Sequence, residues 1–375
     1  GAPDTGMTPD DIAPGLSATH TFNGPSTDLQ QTVVVPTLDT PMPAGKNVIW
    51  CGTFQMAWNR LRDDVIKEPI RITGAEEIAA RLNTAPLKES DLPPGSFYAA
   101  AGKVSDGIVE TIHQEMAKRF PKATPYPFEG VDPDDLVAYG YLRTSAKFAL
   151  PYWDHEYGQA FTDSAGNKTH IRTFGLYHGH GYAPDNGKVA RQVQVLYAEA
   201  EPAKTKDSWE KRKLTAFAAD LCRTSQPNQL ILAVVERKET LAATWADLKI
   251  RIDSWDSNKF KPFDSHCRLE VPNLNWKLKH EFTELAGEDK RFENAGFSRS
   301  LIGKAFQMID FSLNKGGADL ESEAALDVKE AAMDRPDLSL VFDRPFLIVM
   351  RQRGCEEPFF MMWVDNAELL VRPEK

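Results

Sequence analysis

Phe342-Asp-Arg-Pro-Phe-Leu-Ile-Val-Met350, followed after the polar stretch Arg351 to Pro358 by Phe359-Phe-Met-Met-Trp-Val-Asp-Asn366, is the part of the chain whose reading decides the fold. Its two apolar halves hold no charge within Phe346 to Met350 or Phe359 to Val364. Apolar residues fall on successive as well as alternate positions, which is the pattern of central strands covered on both faces. The polar stretch between them is short enough to turn, so the spacing predicts a buried hairpin.

Upstream, short β-rich runs recur at Leu136 to Leu142, His170 to Leu176, Arg191 to Tyr197, Leu214 to Leu221, Leu230 to Val235 and Arg268 to Val271. The centre of the chain therefore reads as sheet. Helical spacing is confined to a few places: Phe54, Ala57, Trp58 and Leu61 after a buried strand Asn47 to Cys51, residues 75 to 82, the stripe Ile108, Val109, Ile112, Met116 and Phe120 that ends at Pro121, and Leu241 to Trp255. Residues 1 to 46, rich in Pro, Thr, Asp and Gly, read as an extended arm, and 47 to 375 as a single domain. The fold class expected is α/β, a mixed α+β arrangement with a large central sheet and surrounding helices.

Composition narrows the function. A net charge of −10 with Lys and Glu evenly mixed argues against a nucleic-acid partner, which needs a concentrated basic face. Apolar runs such as Leu230 to Val235 are too short to cross a bilayer as a helix, so no membrane partner is expected. Cys51, Cys222, Cys267 and Cys355 lie far apart with no Cys-x-x-Cys pair, which excludes a zinc ribbon or a dithiol redox motif. The opening Gly1-Ala2-Pro3 suits a processed chain, and an exported protein, secreted or periplasmic, is the first expectation, with a cytoplasmic one as the alternative.

Enzymatic motifs are weak. Tyr177-His178-Gly-His180 and Trp153-Asp154-His155-Glu156 bring imidazoles and carboxylates close in sequence, but no third ligand has metal-site spacing. A Gly-x-Ser-x-Gly elbow is absent, and Gly316-Gly317 lacks the lysine of a phosphate loop. No cofactor is expected. The stretch 318 to 336 is more informative, because it fits two periods. At period two, Leu320, Ser322, Ala324, Leu326 and Val328 share one side and acidic residues the other. At period 3.6, Leu320, Ala324, Val328 and Ala331 line one helical face, with a helix-favouring composition.

The C-terminal pair of strands resembles the closing signature of serpins, where a Pro-Phe strand and an apolar strand ending in Val-x-Asn form the terminal hairpin. Other segments follow in the same order. Asn47 to Leu61 is similar to the family's first buried strand and helix, and Leu136-Val-Ala-Tyr-Gly-Tyr-Leu142 to its central strand, with Phe148 in the place of a tryptophan. Gln229 to Glu236 also resembles a family strand. Arg268 to Trp276, with Leu278 to Leu285 after it, resembles a strand and helix, and Ser322-Glu-Ala-Ala325 resembles the hinge of the reactive loop.

The resemblance implies an exposed reactive-type loop with a hinge at Glu321, Ser322, Glu323, Ala324 and Ala325 and a scissile region at Met333, Asp334 and Arg335. It also implies a sheet-opening region at Cys51, Phe54, Phe148 and Gln307. A monomer acting on a target protease, by loop cleavage and strand insertion, is the function it implies. Glu321, Leu326 and Asp327 depart from the family's small-residue hinge, so a non-inhibitory binding or structural protein with a helical loop is the competing expectation. A metal-dependent enzyme using His155, His178 and His180 ranks third.

Overall fold

The computed structural model describes residues 21–145, 147–177, 186–202, 213–223, 227–316 and 338–374. Its architecture is mixed α+β, and among the described residues two large sheets dominate. The first runs β1 (Phe22–Pro25), β13 (Leu274–Glu281), β15 (Ile302–Leu313), β6 (Leu136–Ser145), β5 (Phe97–Lys103). The second runs β2 (Thr32–Val34), β3 (Asn47–Cys51), β18 (Phe360–Val364), β17 (Phe346–Gln352), β11 (Asn228–Val234), β10 (Leu214–Asp220), β9 (Gln194–Ala200). A third sheet is ordered β16 (Ser339–Val341), β12 (Arg268–Pro272), β8 (Lys168–Gly175), β7 (Trp153–Thr162), and β14 (Arg291–Phe292) pairs with β4 (Ile72–Thr73).

The predicted hairpin is β17 and β18, antiparallel with Phe346 opposite Val364 and Met350 opposite Phe360. Every residue of β18 is buried, as are Phe346 to Met350. The hairpin sits in the middle of the second sheet with β3 and β11 as outer neighbours, so its apolar residues are needed on both faces.

Helix α1 (Gly52–Arg60) leaves β3 directly and passes between the two large sheets, with Gly52 to Trp58 buried. Its first turn comes so near β6 that a Cβ at Gly140 would lie 2.9 Å from the Thr53 carbonyl carbon; only glycine fits there. α2 (Glu76–Thr84) closes the outside of α1. α3 (Ile108–Arg119) covers the opposite face of the first sheet, where Ile112, Met116, Phe120 and Tyr126 bury Tyr139, Tyr141 and Phe306 in a second apolar cluster. The short α4 (Asn186–Ala190) and the longer α5 (Leu241–Ser254) are the remaining α-helices among the described residues, α5 starting at a Thr240 cap whose hydroxyl accepts from Ala243 N.

Residues 22–25 and 32–34 of the arm are paired strands, β1 on β13 and β2 on β3, which ties the arm into both sheets. Two expectations need correction. Leu278 to Leu285 does not open a helix: Leu274–Glu281 is a strand whose Leu274, Trp276 and Leu278 face the core while Lys277, Lys279 and Glu281 face out. The predicted run Arg191 to Tyr197 becomes a strand only from Gln194.

Candidate functional site

The first sheet contains one feature that its neighbours do not explain. β5 and β13 each run antiparallel to the strand beside them, yet β6 and β15 are parallel and adjacent, paired from Leu136–Ile302 to Ser145–Ser312. Parallel neighbours require a long crossover. β15 ends at Leu313 and the chain runs on to Gly316, residues 317–337 lie outside the described residues, and the chain returns at Leu338 into β16. The expected hinge at Glu321 to Ala325 and the scissile region at Met333, Asp334 and Arg335 fall within that segment.

Both ends of the segment are anchored. Lys315 O accepts from Tyr152 N at 3.1 Å, and Lys315 Nζ lies 3.6 Å from Asp154, a buried carboxylate that Arg172 also meets at 2.6 Å. On the return side Leu338, Leu340 and Phe342 are buried, and Ser339 to Val341 pair in parallel with Arg268 to Glu270.

The expected sheet-opening residues separate into two groups. Gln307 lies on β15 opposite Gly140 on β6, with its side chain fully buried. Its Nε2 donates to Cys51 O at 3.0 Å and to Thr53 Oγ1 at 2.8 Å, tying the sheet to the start of α1. Phe54, on the same turn, packs on Phe282 with ring centroids 4.3 Å apart. Burial pushes the Cys51 thiol up to about 11, so it stays protonated and serves as packing. Phe148 is elsewhere, past the end of β6, in an aromatic group with Tyr152 and Phe174 at 4.7 and 6.0 Å.

Sequence reasoning missed Thr53, which receives the Gln307 bond, and Gly140, which makes room for it. A glycine inside a β-branched or aromatic run signals a close approach, and Tyr139-Gly140-Tyr141 carried that signal. On the other face of the sheet Asp310 stands opposite both Arg143 and Lys277, with Lys277 Nζ at 3.6 Å, a charged row across β6, β15 and β13.

Of the metal alternative, His178 and His180 lie outside the described residues. The ring of His155 is taken up by structure: Nε2 is 3.0 Å from Leu176 O and Nδ1 3.9 Å from Glu270. Among the described residues no three His, Cys, Asp or Glu side chains gather as a metal would need.

No family model and no curated protein matches the chain. Solved serpin structures do. Thyroxine-binding globulin in complex with thyroxine is 13% identical, with 88% of this chain and 94% of that chain covered at a TM-score of 0.49. Uncleaved ovalbumin is 10% identical over 86% and 94%, TM-score 0.44, and Serpin48 of Tenebrio molitor is 12% identical over 85% and 92%, TM-score 0.46. At these values the likeness carries no residue over, and the reading of the sheet rests on this chain's own pairings.

Proposed function

We propose that this is a serpin-like protein of the protease-inhibitor type, acting through macromolecular interaction rather than catalysis. Residues 317–337 present a bond to a target protease, and the cut segment then enters the first sheet. The observation that supports this most is the parallel pairing of β6 with β15, the strand from which the segment leaves. A segment folding back from Gly316 would run opposite to β15, and so opposite to β6 as well. It would exchange one parallel ladder for two antiparallel ones, each hydrogen bond contributing about 1 kcal/mol net. In a serpin-type mechanism the acylated protease is carried along and distorted before it is released.

A second reading is favoured by the Gln307 bonds and by the contact at Gly140, which hold the pair shut. With Glu321, Leu326 and Asp327 in the hinge, the segment then serves as a fixed surface and the protein binds without inhibiting.

The deciding experiment compares thermal unfolding of intact protein with protein nicked once between Asp319 and Pro336, the cut mapped by mass spectrometry. A rise of tens of degrees follows from insertion. An unchanged or lower midpoint rejects insertion and leaves the binding role.

A further inference from the structure

At the edge of the first sheet, β1 pairs in parallel with β13 from Phe22–Trp276 to Pro25–Lys279, and the next residue, Ser26, closes the ladder with its side chain: Ser26 Oγ lies 2.7 Å from His280 Nδ1. His280 shares the core-facing side of β13 with Trp276 and Leu278, its ring meeting Phe282 edge-on at 4.5 Å. In the neutral tautomer that carries its proton on Nε2, the hydroxyl donates to Nδ1. That nitrogen is buried, and among the described residues it has no hydrogen-bond partner; nor has Gln307 Oε1, carried by the residue opposite His280 on β15.

We infer that His280 is an acid-sensitive lock that holds β1 on the sheet and, when protonated, frees the β13 edge. A second proton on the ring converts Nδ1 from acceptor to donor, so the Ser26 hydroxyl must reverse its bond. It also places a charge where Nε2–H already lacks an acceptor. Releasing residues 22–31 lets water reach the ring. The same step uncovers the outer backbone of β13, a free edge able to pair with another strand.

The groups around the ring set the direction. Burial holds His280 down at about 4, against which the neighbouring Glu281 carboxylate pulls upward. Glu281 is itself engaged by Lys304 at 3.1 Å and Tyr126 at 2.5 Å, on the outward side of β13 with Lys279. From the Ser26–Asp28 turn only Asp28 is charged, and it is exposed. From β15 the facing residue is the uncharged Gln307, and from α1 the uncharged Thr53 and Phe54. After β13, burial raises Glu284, and at the far end of the released segment the Glu368 carboxylate accepts from Gln30 N and Gln31 N. Since the ring in place binds its proton less well than the free ring, the lock is complete above about pH 6.5. It weakens roughly tenfold per pH unit as pH falls toward 4.

Hydrogen exchange followed by mass spectrometry at pH 7.5 and 5.0, corrected for the intrinsic rate, tests this on the full chain. Protection of residues 22–31 should fall at least tenfold at pH 5.0 while that of the β17–β18 hairpin holds. His280→Gln should remove the pH dependence and Glu284→Gln should leave it. Equal loss in both regions, or the same pH dependence in His280→Gln, overturns the lock. Should His280→Gln not fold, the ring's proton resonance in the wild-type protein decides: a midpoint near 4 supports the lock and one at 6 or above rejects it.

Discussion

Gln307 and Thr53 are joined at 2.8 Å across the boundary between the first sheet and α1, directly beside Gly140, where a methyl group cannot be added. The bond crosses between two elements that would have to part if β15 moved from β6. It is the place where stability and any opening of the sheet are set against each other.

Gln307→Leu removes both bonds and leaves the Cys51 carbonyl without that donor. The loss expected is about 1–3 kcal/mol, the cost of a buried polar group left unpaired. Urea denaturation measures it, and exchange of β6 and β15 amides should quicken more than that of β17 and β18.

Gly140→Ala forces Cβ against the Thr53 carbonyl carbon and hydroxyl, both 2.9 Å away. Overpacking of this kind costs about 1–3 kcal/mol. Gly187→Ala, which meets nothing within 4 Å, should leave the denaturation midpoint unmoved. Equal midpoints for the two variants would show that α1 can shift away from β6.

The four cysteines are free, three of them buried and Cys355 partly exposed. Burial lifts Cys51 to about 11 and Cys222 to about 12, so both remain thiols at pH 8. A thiol titration at that pH should find one rapidly reacting group in the native protein and four after denaturation. The sign for stability follows: with folded values above the unfolded one near 9, the two thiols support the fold up to about pH 9 and lose that support as pH rises toward 11.

Lys315→Met removes the side-chain tether at the base of the segment 317–337 while the Tyr152–Lys315 backbone bond stays. Global stability should change by less than about 1 kcal/mol, because Arg172 still pairs with Asp154. Cleavage within 317–337 by a dilute protease should speed up severalfold. Asp154→Leu, by contrast, strands the buried Arg172 and should cost about 3–5 kcal/mol.

Much of the fold was legible where pattern and burial coincide. β17 and β18 declare themselves because both faces are covered, and α3 and α5 because each has a single apolar stripe. β15 did not, because Gln307, Asp310 and Ser312 interrupt its apolar residues; all three are buried, and Gln307 and Asp310 are answered by partners that the sequence does not place nearby. β5 was missed because Phe97-Tyr-Ala-Ala-Ala-Gly-Lys103 has the composition of neither a strand nor a turn, and only pairing with β6 makes it a strand.

The sequence by itself determined that the chain is a mixed α+β protein with a buried terminal hairpin, since local periodicity reports which faces are covered. Only the tertiary structure decided that β6 and β15 are parallel neighbours, that Gln307 bridges to Thr53 past Gly140, and that His280 meets Ser26. Those contacts join residues more than 150 positions apart, and what selects them is the packing of α1 between two sheets, a property no local pattern contains.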